Sequence, residues 1–179
     1  APHEAFESIE DINNYLLEHK EVIDFVEERR VSGKKSKALF LMFDERTEEL
    51  AEKLGLDVCF PSAAMRRSMD NKVNTNRIAE KAGVPCVPYV LGEVKSYKQL
   101  RKISKKLGEE LVVQTPFGDS GHTTFFISSE AEYEKHAAEI DKEAEVKVMK
   151  RINCRGSAIE ACVTRHGTIV APLMTELVG

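Results

Sequence analysis

With 179 residues, 42% hydrophobic and 31% charged side chains, the chain can bury one medium core or two small ones and has the balance of an ordinary water-soluble protein. No apolar run reaches the roughly 20 residues of a membrane-spanning helix, and the opening APHEAFESIED does not read as a secretory signal, so neither membrane nor leader is expected. A net charge of −4 offers no basic excess for nucleic acid, and GKKSK at 33–37 reads as a solvated loop.

FESIEDINNYLLEHKEVIDFVEERR predicts one or two helices: Ser8 with Asp11 resembles a capping box, and Phe6, Ile9, Ile12 and Leu16 form a stripe. After VSGKKSK, the run ALFLMF has the continuous apolar character of a buried parallel strand. DERTEELAEKLG predicts a helix with Gly55 past its end, and LDVCF a second strand stopped by Pro61, completing a βαβ unit. PSAAMRRSMDNKVNTNRIAEKAGVP carries two short helical pieces, the second from near Asp70 to Gly83 with Pro85 behind it. VPCVPYV is extended, because residues preceding proline avoid the α region.

SYKQLRKISKKLG is an amphipathic helix with Leu100, Ile103 and Leu107 in one stripe and Gly108 ending it. ELVVQT and HTTFFIS are the strands of a hairpin, SEAEYEKHAAEI a helix, and EVKVMKRI a strand. SAIEACVTRHGTIVAPL is a second hairpin turning at His166 and Gly167. The expected class is α/β passing into α+β, with an N-terminal helical segment over 1–36, a partial Rossmann-like βαβ segment over 37–93, and an antiparallel sheet with helices over 94–179. The four cysteines show no CxxC spacing. Cys59, Cys86 and Cys162 read as reduced packing residues, Cys154 beside Arg155 as a loop thiol, and the set predicts a cytoplasmic protein.

Four places can carry chemistry. In TPFGDSGHTTF, Gly118 and Gly121 permit close backbone approach, and Ser120, Thr123 and Thr124 add hydroxyls, so the turn is either an anion-binding nest or an ordinary hairpin. It fits neither the P-loop nor GxGxxG, and Gln114 ends the strand that enters it. Lys72 falls in the first turn of a helix, where a cation opposes the macrodipole; an anionic ligand accounts for it, as does a solvated surface position. The crossing after VKVMK, from Lys150 through Arg151 and Ile152 to Asn153, is a plain connection or a backbone edge for a purine. Glu160 alternates with Ile159 and Ala161 and faces a ligand or solvent; His122 is a phosphate donor or a surface residue. His3, His19, His136 and His166 have no metal spacing, so no metal centre and no catalytic residue is assigned.

The order of these features resembles the ATP-grasp superfamily, and most of all its biotin carboxylase-like branch, over roughly residues 38 to 172. PSAAMRRSMDNKVNTNRIAEKAGVPCVPY is similar to that branch's segment ending in DK…GVPxVP. LVVQTPFGDSGHTTFFI is similar to its vvvKp…GGrGv strand–loop–strand, and VKVMKRINCRGSAIEACVTRHGTIV to its vlvEkyi.g.rei.v.vl.d..G.vv. The resemblance implies ATP held between two α+β subdomains, a glycine turn closing over the phosphates, and an acyl phosphate that a nucleophile attacks. It makes residues 37–93 the segment that precedes the ATP-grasp domain and 94–179 that domain's N-terminal subdomain.

Carried over residue by residue, Lys72 touches phosphate, Gly118, Ser120, Gly121 and His122 lie in the flap, and Lys150, Arg151, Ile152 and Asn153 form the adenine crossing. Two departures stand out. Gln114 replaces the family's phosphate-binding lysine, trading a charge-assisted contact for one weaker by about 1–2 kcal/mol. Lys150 stands where the family usually has glutamate. The family's Mg²⁺-holding carboxylates and an acceptor-positioning arginine come from later strands, and the helices over 6–30 replace the family's first strand. The expectation is therefore an ATP-binding portion of a ligase, with Mg²⁺ bound only alongside a further C-terminal half and little turnover alone. The alternative is a non-catalytic relative that keeps the fold. Expected partners are a nucleotide, a small carboxylate substrate, and either a second copy or the remainder of a longer chain.

Overall fold

A computed structural model describes residues 5–118, 122–154 and 156–175. Helices α1 (Ile9–Glu18) and α2 (Lys20–Glu28) open it, with Ser8 Oγ accepting the Asp11 N–H at 3.0 Å and His19 breaking the two apart in an extended conformation. Strands β1 (Ser36–Ala38) and β2 (Leu56–Val58) pair in parallel around α3 (Glu45–Lys53), as the βαβ reading requires.

The expected strand over ALFLMF is corrected. Strand β1 ends at Ala38, and Leu39 and Leu41 are 68% and 78% exposed; in that run only Phe43 is buried. A two-stranded sheet has little face on which to bury a continuous apolar run, so pairing ends where β2 ends. Three cysteines are corrected too: Cys59, Cys86 and Cys162, expected to pack, are free and exposed, as is the loop thiol Cys154.

Helix α3 is held to α1 by a polar knot. Asp44 caps α3 by accepting the Thr47 N–H at 2.8 Å, and the Thr47 hydroxyl lies 2.7 Å from Asn14 Oδ1. The Asn14 amide donates to the Asp44 carboxylate at 3.2 Å. Burial pushes the Asp44 carboxyl up, but the hydrogen bonds from Thr47 and Asn14 outweigh it and leave it below its ordinary value of 3.8. A depressed folded value stabilises the protein at neutral pH, and the contribution is lost as pH falls below that value. Asp44→Ala is expected to cost about 1–2 kcal/mol at pH 7 in urea denaturation. The difference from wild type should shrink toward acid pH, and a pH-independent difference would contradict the capping assignment.

Helices α4 (Ala63–Asp70) and α5 (Lys72–Lys81) meet at Asn71, whose side chain accepts the N–H groups of Val73 and Asn74, both at 3.0 Å. The second helix thus starts two residues later than expected, with Lys72 as its first residue. Strands β3 (Tyr89–Gly92), β4 (Leu111–Gln114), β5 (Thr124–Ile127) and β6 (Val146–Lys150) form an antiparallel sheet in the order β3-β6-β4-β5. Strand β3 lies just before the boundary expected near residue 93, yet it hydrogen-bonds into the sheet of the residues beyond that boundary.

Helices α6 (Tyr97–Ile103) and α7 (Glu130–Asp141) cover one face of this sheet. The two-residue period sends Leu111, Val113, Phe125, Ile127, Val146 and Val148 into a core with Leu100, Tyr133 and Ile140. Their neighbours Gln114, Thr124, Phe126, Lys147 and Met149 fall on the other face. Beyond the sheet, β7 (Ser157–Ala158) pairs with β10 (Met174–Thr175), and β8 (Ala161–Thr164) pairs with β9 (Gly167–Val170) through the expected turn. Glu160, expected within a strand, sits between β7 and β8, its carbonyl accepting the Ala171 N–H at 2.8 Å.

Candidate functional site

Three segments far apart in the chain converge at the end of β4. Gln114 is directly opposite Thr124 on β5 and Lys147 on β6, and its amide donates to Thr124 Oγ1 at 3.1 Å. The chain then enters the glycine turn. The Thr115 N–H donates to the Thr123 carbonyl at 3.2 Å and its hydroxyl to the Phe117 carbonyl at 2.9 Å, which closes the base of the turn. Gly118 has φ 135°, a conformation open to glycine, and a Cβ there would lie 2.1 Å from Thr123 Oγ1.

Lys72 joins the helix to this turn. Its N–H donates to the Pro116 carbonyl at 2.8 Å, and its Nζ donates to the Gly118 carbonyl at 2.6 Å. The two contacts use up one N–H left unpaired by the helix start and tie the ammonium to the turn backbone. His122 is exposed beside the turn; Ser120 and Gly121, both expected in the flap, lie outside the described residues.

At the crossing, the Lys150 N–H donates to Pro88 and the Arg151 N–H to Glu110. These two amides extend the sheet and are not open to a purine edge, while Ile152 and Asn153 continue the chain in exposed positions. Arg151 instead offers its guanidinium, 5.2 Å from the centre of the Phe126 ring. Phe126 is 55% exposed on the face of the sheet away from α6 and α7.

Sequence reasoning missed Phe126 and Lys147, although the alternation of Val146 and Val148 around Lys147 carried the signal. Lys147 is half-buried, with Nζ 5.9 Å from the centre of the Tyr89 ring. Burial holds its ammonium below the ordinary lysine value, nearby Cys86 pulls the other way, and Lys72 adds to the depression. A separate cavity of about 420 Å³ opens between α1, α3, α4 and the turn, lined by Asp44, Arg66, Asp70, Phe117 and Gly118 among others. Arg66 is already engaged there, 3.2 Å from Asp70 and 3.6 Å from Glu10. Among the described residues, no group of three or more His, Cys, Asp or Glu is placed to hold a metal ion.

No family model matches the chain. It is 30% identical to a biotin carboxylase from Haemophilus influenzae over 106 residues, 59% of this chain and 24% of that protein. Its fold is similar to that of a carboxyaminoimidazole ribonucleotide synthase from Aspergillus clavatus complexed with ATP, at a TM-score of 0.63 and 15% identity over 80% of this chain and 38% of the other. The D-alanine-D-alanine ligase from Coxiella burnetii matches at a TM-score of 0.60 and 17% identity, over 85% of this chain and 47% of that one. The chain has an ATP-grasp fold. It spans less than half the length of each of these proteins. In this fold the sheet presents Gln114, Lys147 and Phe126 on the face away from α6 and α7, with the Lys72-bound turn at its end. No described helix is long and apolar enough to cross a membrane.

Proposed function

We propose that this chain forms the ATP-binding part of an ATP-grasp ligase resembling biotin carboxylase, one that activates a carboxylate or bicarbonate through an acyl phosphate. The observation that supports it is the clasp of Lys72 on the glycine turn, formed across 46 residues of sequence. It puts a helix start, an ammonium group and a glycine-bearing turn at the end of one strand, where backbone and side-chain donors can share a polyphosphate.

In this reading Lys72 exchanges the Gly118 carbonyl for a phosphate oxygen. Gly118, Ser120, Gly121 and His122 cover the phosphates, and Gln114 donates its amide. The base lies toward Lys150, Arg151, Ile152 and Asn153, with Phe126 and Arg151 offering flat surfaces beside it. The part played by these residues is to hold and orient ATP; Mg²⁺ and the carboxylate substrate belong with further strands of a longer protein. Four free, exposed cysteines suit a reducing compartment such as the cytoplasm.

A second reading, a binding or regulatory module that keeps the fold without turnover, is favoured by the neutral Gln114 and the basic Lys150. Calorimetric titration of the chain with ATP separates the two. The ligase reading expects saturable binding that scarcely changes when Mg²⁺ is added, because the metal's ligands lie elsewhere. No heat at millimolar ATP would overturn it in favour of the second.

A further inference from the structure

We infer that Lys147, on β6, supplies to an oligophosphate ligand the positive charge that Gln114 does not. This rests on the ATP-binding reading and adds to it a residue and a strand. Gln114 and Lys147 are direct partners in the antiparallel pairing of β4 with β6. Direct partners carry their side chains on the same face, with Cβ atoms about 4.5–5.5 Å apart. The face is the one turned away from α6 and α7, because Val113, Val146 and Val148 point into the core beneath those helices. A lysine on β6 therefore reaches the space that a lysine at position 114 would reach, approached from the neighbouring strand.

The surroundings of Lys147 point to an anion. Among the described residues, no carboxylate lies within ion-pair distance of it, whereas Arg77, Lys95 and Arg151 near this sheet each have one. Its contacts are the face of the Tyr89 ring and the electrostatic influence of Cys86 and Lys72. Lys72 is likewise held by a carbonyl rather than by a carboxylate. Lys72 is near enough to depress the Lys147 ammonium, neither has an ion-pair carboxylate among the described residues, and their repulsion disfavours the unliganded arrangement. Both are satisfied at once by a ligand that carries several negative oxygens along a short chain. A triphosphate does this; a single carboxylate reaches one of them.

The test is calorimetric titration of the chain with ATP and, separately, with inorganic tripolyphosphate, for wild type, Lys147→Gln, Lys147→Arg and the exchanged pair Gln114→Lys/Lys147→Gln. Circular dichroism and a thermal melt check that each variant is folded. Lys147→Gln is expected to weaken both ligands about tenfold, the worth of one charge-assisted contact. Lys147→Arg should hold close to wild-type affinity, and the exchanged pair should regain what Lys147→Gln loses. A folded Lys147→Gln that binds ATP as wild type does would overturn the inference and leave the ATP-binding reading standing. Wild type that binds neither ligand at millimolar concentration would overturn both. If Lys147→Gln does not fold, the exchanged pair decides: wild-type affinity is expected, and a tenfold loss in the folded protein would overturn the role.

Discussion

Leu100→Ala is expected to remove about 2–5 kcal/mol of folding stability, the cost of a large-to-small change in a closed core. Leu100 lies on α6, fully buried, in the cluster that joins α6, α7 and the inner face of the four-stranded sheet. Its neighbours in that cluster, Tyr133 and Ile140 on α7 and Val148 on β6, have little room to collapse into the space left behind, since each is itself fully buried. A domain of this size has roughly 5–15 kcal/mol in total, so the variant should melt far earlier or express poorly. The control is Leu41→Ala, a change of the same chemistry at a side chain that is 78% exposed, expected to shift stability by less than about 0.5 kcal/mol. Urea denaturation of both, followed by far-UV circular dichroism, checks the assignment. Equal midpoints for the two variants would mean that α6 does not close the core.

Gly118→Ala is expected to do less to stability and more to the site. At φ 135° an L side chain is strained, on the order of 1–3 kcal/mol. The added Cβ would also fall 2.1, 2.4 and 2.7 Å from three atoms of the Thr123 side chain, so the two limbs of the turn must separate. That separation carries the Gly118 carbonyl away from Lys72 and opens the base of the turn, where Thr115 pairs with Thr123. If the turn covers the phosphates, ATP affinity should fall by well over tenfold while the melting temperature drops by only a few degrees. A variant that melts a few degrees lower yet binds ATP as wild type does would remove the turn from the nucleotide site.

The sheet was readable because its strands alternate. In VKVMK the buried valines Val146 and Val148 flank the outward Lys147, and in TFFI burial falls on Phe125 and Ile127, whereas LVVQ is buried at three positions running. Helix starts were readable for a local reason: Ser8, Asp44, Ser96 and Ser129 each cap the helix that follows. ALFLMF misled because a continuous apolar run states a preference for burial but not what will cover it, and β1 and β2 form only a pair. The site was legible only in part. Lys72 and the glycine turn stood out singly, but the bond between them spans 46 residues and no spacing rule contains it. Which backbone groups of the crossing stay free for a base is set by the sheet's own hydrogen bonds, which engage the Lys150 and Arg151 N–H groups and which no local pattern states. Lys147 was hidden by being read as part of a strand rather than as one of that strand's outward positions.

The order β3-β6-β4-β5 has a consequence for how a ligand would be met. Gln114 and Lys147 ride on β4 and β6, the two strands bonded to neighbours along both edges. Their backbones are fixed on folding, and Lys147 lies half sunk against Tyr89. Much of the conformational freedom that a long side chain surrenders when it grips an anion has therefore been given up beforehand. The entropy that these two strands would still lose when an anion is captured is correspondingly small.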